Sequence, residues 1–259
     1  MHNPDLKDQS SERHVPSRTG IGRSLDIYYR DAKRFDRMNA LNGQFVSKGS
    51  LAFDIGAHVG DRTAGFLHLG ASVVALEPQP RVFRALRLMH GRNPNAVLRA
   101  MAVGARPGSL DLFVNSANPT VSTVSSDLVT AARTAPRWTR EVWDEHVRVP
   151  VTTLDQLVSE FGTPDFVKID VEGHEFEVLC GLSAALPALS FEFTMVQRSI
   201  ALACIERLTA LGRYEFNFSL GEEHHLRHET WIGSTEIARE IGALSEEANS
   251  GDIFVRLVS

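Results

Sequence analysis

The ten residues Leu51–Gly60, LAFDIGAHVG, constrain what this chain can fold into more than any other stretch. A short apolar run ends in an acid, Asp54, then breaks at Gly56 and Gly60 into a polar, helix-like segment. A strand that opens through glycines into a helix lets backbone approach a ligand and aims the first free N–H groups of the helix at it. The pattern is a seat for a nucleotide-like molecule. Similar turns also occur for structural reasons alone, so the rest of the chain must decide.

Downstream, the apolar runs alternate with helical periodicity. Strands are expected at Leu51–Ile55, Ser72–Leu76 and Val97–Met101, with helices from about Asp61 to Leu69 and from Pro80 to Gly91 between them. This rhythm argues for right-handed crossovers and a mainly parallel sheet. Further strands are expected at Pro164–Asp170, Ser190–Thr194, Tyr214–Leu220 and Ile253–Leu257, with helices over Thr153–Phe161, Glu175–Ala185 and the face Ile200, Cys204, Leu208 and Leu211. Ahead of the first strand, Ser24–Val46 reads as one helix whose Tyr28 and Tyr29 pack. Residues 1–23 read as a flexible arm and 24–259 as a single domain. Ser109–Val114 and Val147–Val151 alternate like hairpin arms. Between them, residues 115–146 read as an irregular lid or binding loop carrying Trp138 and Trp143.

Composition narrows the functions. The 259 residues carry 27 basic and 32 acidic side chains, a net charge of −5, which argues against a nucleic-acid partner. Cys180 and Cys204 lie in apolar-periodic stretches and form no metal-binding spacing. No apolar run approaches membrane-spanning length and no leader precedes the domain, so a cytoplasmic protein without a membrane partner is expected.

Glu77 ends the second strand about 20 residues beyond the glycine loop, where an acid accepts hydrogen bonds from ribose hydroxyls. A dinucleotide fingerprint requires a middle glycine, and this loop has His58 there. Asp54 would repel a pyrophosphate but suit an ammonium or sulfonium. S-adenosylmethionine is therefore preferred over NAD. A third cluster, VKIDVEGHE, crowds Asp170, Glu172, His174 and Glu175 at a strand's C-terminal end, where a general base toward a hydroxyl belongs. Lys168 would pair with an acid, and Glu192, alternating away from Phe191 and Phe193, would reach the same place. His224, His225 and His228 read as a solvated loop rather than a metal site, and no metal ligand is assigned. A hard cation held by Asp170 and Glu172 stays open.

FDIGAHVGDRT, ALEPQP and VKIDVEGHE occur in that order, and from about Leu51 to Phe193 the chain resembles the FkbM-type methyltransferase family. The resemblance implies a class I, Rossmann-like α/β fold: a seven-stranded, mainly parallel sheet of order 3-2-1-4-5-7-6 with helices on both faces. An N-terminal helix and an inserted hairpin or lid would be added to it. It further implies that Asp54, Gly56 and Gly60, with His58 in their loop, hold the methionine part of S-adenosylmethionine. Glu77 and Pro78 would meet the ribose, and Met101 and Ala102 the adenine. Asp170, Glu172 and His174 would face the transferred methyl. The expected function is O-methylation of a small-molecule hydroxyl on a sugar, polyketide-like compound or other secondary metabolite. Two alternatives are an NAD-dependent oxidoreductase and a non-catalytic S-adenosylmethionine-binding module.

Overall fold

The computed structural model describes residues 20–258. The arm expected over residues 1–23 lies outside the described residues as far as position 19, and the chain is helical from Ile21. In order the elements are α1 (Ile21–Tyr29), α2 (Ala32–Asn42), β1 (Leu51–Ile55), α3 (Asp61–His68), β2 (Ser72–Leu76), α4 (Pro80–His90), β3 (Ala96–Arg99), β4 (Ala102–Val103) and β5 (Gly108–Val114). Then follow α5 (Ser126–Ala132), β6 (Glu145–Thr152), α6 (Leu154–Phe161), β7 (Phe166–Ile169), α7 (Glu175–Cys180), β8 (Ala188–Thr194), α8 (Arg198–Leu211), β9 (Tyr214–Leu220), α9 (Ser234–Ala243) and β10 (Ser250–Leu257). No helix among the described residues is long and apolar enough to cross a membrane.

The main sheet has the order β3-β2-β1-β7-β8-β10-β9. All neighbours are parallel except β10, which runs antiparallel between β8 and β9. This is the arrangement the family resemblance implies. Successive side chains of a strand point to opposite faces, and both faces are covered. Phe53, Ile55, Val74, Val167 and Ile169 pack toward Leu154, Leu157, Val178, Cys204 and Ile237. Ala52, Val73, Ala75 and Phe166 pack toward Leu41, Phe66 and Leu86. Burial on both faces explains why these strands read as continuous apolar runs.

Several expected elements divide. The single N-terminal helix is two, because Asp31 accepts a hydrogen bond from Arg34 N and starts a new helix. The third strand ends at Arg99, and Ala102–Val103 joins a second, three-stranded sheet of order β4-β6-β5 instead. The hairpin arms are β5 and β6 of that sheet, paired antiparallel. The insert between them is more ordered than expected: a 3-10 turn covers Pro119–Val121, and α5 begins where the Ser125 side chain caps Leu128 N.

Candidate active site

The register places the chemistry. Ile55 pairs with Leu76 on one side and with Ile169 on the other, and Ile169 pairs with Phe191. The residues that follow these pairs, Gly56, Glu77, Asp170 and Glu192, therefore emerge along one edge of the sheet. The strand order reverses there, between β1 and β7, the crevice where open α/β sheets bind ligands. A cavity of about 960 Å³, open to solvent, occupies this edge. Asp54, Gly56, His58, Glu77, Pro78, Met101, Ala102, Asp170, Glu172 and His174 all line it.

Gly60 does not line the cavity. It sits at the N-terminus of α3 with φ 88°, and a side chain there would strike Leu86 and His90. Gly56, at φ 82°, lies so close to the Asp170 carbonyl that a Cβ would overlap it. One position sets the helix; the other lets the two loops meet.

Glu77 is 2% exposed and accepts hydrogen bonds from His58 N (2.9 Å) and Gln79 N (2.7 Å). Burial pushes its carboxyl up to about 7 despite these donors. A carboxylate offers about four lone-pair sites, so two remain for a ligand diol. Asp54, 1% exposed, accepts from Thr63 Oγ1 at 2.5 Å, and burial raises it to about 7 as well.

The acid-rich turn after β7 is braced from two sides. Glu175 accepts from Val171 N (3.1 Å) and Gly173 N (3.2 Å). Thr123, 1% exposed, donates to the Glu172 carbonyl (2.6 Å) and accepts from Ser125 N (2.8 Å). Glu172 is thereby held at φ 53°, an uncommon conformation for a residue with a side chain. Thr123→Val keeps the shape and strips both bonds. It is expected to cost about 2 kcal/mol, the penalty of leaving buried backbone groups unpaired, with Thr123→Ser near wild type; thermal unfolding of the two variants checks this.

Beneath the turn, Lys168 is 2% exposed and contacts Asp252 at 2.5 Å and Asp170 at 3.2 Å. Burial alone would lower its pKa, but Asp170 and Asp252 outweigh that and hold the ammonium charged. Asp170, Glu172 and Glu192 each place a carboxylate oxygen within 4.8 Å of the others. Burial, then the charge of Asp170, drives Glu172 and Glu192 well above the usual carboxylate range. His174 is pushed down to about 4 by burial, and its Nε2 is buried without a partner among the described residues. Its imidazole is neutral at pH 7.

Other placements differ from expectation. Tyr28 lines the cavity, 5.8 Å from the His58 ring. Tyr29 is not packed in the core either: it is exposed, its hydroxyl donating to Val59 O. Trp138 and Trp143 do not line the cavity; Trp143 Nε1 donates to Val121 O and so anchors the insert, whose Thr120, Ser122 and Thr123 face the cavity instead. The histidines are not a solvated trio. His224 is 7% exposed and bonds Glu222, while His228 pairs with Glu240. Arg34, Asp61, Arg62 and Glu222 also line the cavity, from α2, α3 and the loop after β9. Asp61 and Arg62 fall within FDIGAHVGDRT without an expected role, and no motif marks Arg34 or Glu222.

A sheet of this order, with a glycine loop at its reversal and an acid after the second strand, defines the class I S-adenosylmethionine-dependent methyltransferase fold. The family model of the methyltransferase FkbM domain matches residues 54–229, more than half of the chain, and the chain belongs to that family. The hexuronic acid methyltransferase AglP of Haloferax volcanii is 28% identical over 158 residues, covering 60% of this chain and 59% of that protein. The chain thus matches about three fifths of that relative's length. Among solved structures, a precorrin-6y C5,15-methyltransferase from Geobacter metallireducens aligns at TM-score 0.47 and 10% identity, over 90% of this chain and 91% of its own. An O-methyltransferase from Bacillus cereus in complex with SAH aligns at TM-score 0.47 and 11% identity, over 92% and 86%.

Proposed function

We propose that this protein transfers a methyl group from S-adenosylmethionine to a hydroxyl oxygen of a small, sugar-like acceptor. One observation carries the reading: a single cavity joins the glycine loop to a turn of acids and a neutral, unpartnered histidine. The residues fit the donor. Glu77 retains acceptor capacity for the ribose diol beside Pro78, and Met101 and Ala102 border the space for the adenine. Seven carboxyl groups line the cavity against two guanidiniums, those of Arg34 and Arg62. Burial pushes Asp54, Glu77, Glu172 and Glu192 toward their neutral form, and a sulfonium or ammonium beside them favours the ionised form, whereas the diphosphate of NAD opposes it.

The bound donor supplies an electrophilic methyl group. The chain's residues then orient the acceptor hydroxyl and remove its proton. His174 Nε2 or the Asp170 carboxylate takes that proton. Lys168 holds Asp170 in place, and Thr123 and Glu175 fix the turn between the two candidate bases. The likeness to a hexuronic acid methyltransferase supports an acidic sugar as the first acceptor to try.

The test is transfer of labelled methyl to hexuronic acids and to the corresponding neutral sugars. A base-stable methyl ether is the expected product. A base-labile methyl ester contradicts the hydroxyl assignment. A second reading rests on the convergence of Asp170, Glu172 and Glu192, a donor set suited to a hard cation. Loss of activity in chelator, restored by magnesium, supports it; full activity in chelator removes it.

A further inference from the structure

Arg34 is 4% exposed, a depth at which a guanidinium normally has every N–H paired. Its Nε and Nη2 are committed to Glu222 (2.9 and 2.7 Å), and Nη2 also to Asp61 (2.9 Å). Its Nη1 is buried with no hydrogen-bond partner among the described residues. Arg34 nevertheless belongs to the cavity wall, and the Tyr28 ring that lies 4.9 Å from its guanidinium carbon belongs to the same wall.

Its neighbours fix which end of the cavity this is. Asp61 is the first residue of α3, directly after the glycine loop, and Tyr28 stands edge-on to His58 inside that loop. Arg62, next to Asp61, lines the same end. Two guanidiniums and two carboxylates, those of Arg34, Arg62, Asp61 and Glu222, thus form a set with no net charge. Such a set complements a ligand end that carries both an ammonium and a carboxylate. Phosphate-bearing ligands would bring charge with no ammonium to meet the acids.

We infer that Arg34 is a carboxylate-binding residue of this cavity, completing its guanidinium fork on the amino-acid end of the methyl donor. This rests on the proposed use of S-adenosylmethionine. An acidic acceptor could present the same chemistry, and the experiment separates the two sources. S-adenosylhomocysteine and its decarboxylated analogue are titrated into wild type, Arg34→Lys and the charge-neutral pair Arg34→Gln/Glu222→Gln, with thermal unfolding to verify folding. Lysine retains the charge but loses the fork.

A carboxylate bonded to a buried guanidinium is expected to show an affinity loss of about tenfold to hundredfold in both variants. The decarboxylated analogue binds all three proteins equally. That result assigns the residue to the donor. Unchanged binding of S-adenosylhomocysteine, with a raised KM for an acidic sugar only, assigns it to the acceptor. Equal weakening of both ligands, or no change in either S-adenosylhomocysteine affinity or acceptor KM, overturns the inference. If wild type binds no S-adenosylhomocysteine, the proposed function fails before Arg34 is tested.

Discussion

Removing the proton acceptor of the cavity is expected to lower methyl transfer by about 10²- to 10⁴-fold, the usual contribution of a positioned general base. His174→Ala and Asp170→Ala are the two variants that locate it. Both residues line the cavity on the turn facing the glycine loop, and neither side chain bonds that loop's backbone among the described residues. Donor affinity should therefore stay within a few-fold of wild type. Single-turnover rates with labelled donor separate the chemical step from binding. His174 Nε2 is committed to no partner among the described residues. Asp170 has one side already committed to Lys168. Near-normal turnover in both variants, with the donor still bound, removes the base assignment altogether.

Lys168→Met is expected to destabilise the fold by about 3–5 kcal/mol, the cost of stripping one partner from a buried ion pair. Lys168 stands in the centre of β7 and is 2% exposed. Without it Asp252, itself 6% exposed, keeps Arg62 at 3.5 Å as its remaining cation among the described residues. For a chain of this size the loss corresponds to roughly 6–20 °C in Tm. Adding Asp252→Leu should recover part of it, since a fully apolar replacement leaves no charge unpaired. A Lys168→Met protein as stable as wild type would mean that the pair contributes nothing to the fold.

The parts of the molecule legible in sequence are those where local chemistry and tertiary burial agree. Phe53, Val74, Val167 and Ile253 lie in strands covered on both faces, so continuous apolar runs mark them. Gly56 and Glu77 could be found because the turn and the acid stand at a spacing that the fold repeats. Glu192 was legible through alternation, since Phe191 and Phe193 turn away from it into the core.

What sequence reading missed has physical causes of a different kind. Arg34 meets Glu222 across most of the chain, and neither residue sits in a pattern that announces the other. The division between α1 and α2 depends on one capping aspartate inside an otherwise unbroken helical periodicity. The helix α9 buries only Ile237 and Ile241 and follows Gly233 without a capping side chain, so it gives little signal. Trp143 looked like a substrate contact because an aromatic in a long loop has no other evident use. Its indole in fact closes the insert on itself. The roles of Asp170, Glu172 and His174 rest on convergence at one sheet edge, which the motif VKIDVEGHE announces but does not prove.

Calorimetric titration of S-adenosylhomocysteine and NAD into the full chain, with Glu77→Ala alongside, tests the central claim most directly. The cavity's carboxyl-rich lining and the proposed ribose role of Glu77 predict one S-adenosylhomocysteine per chain, little or no heat from NAD, and a clear loss of affinity in Glu77→Ala. Saturable binding of NAD that depends on Glu77, with none for S-adenosylhomocysteine, would contradict it.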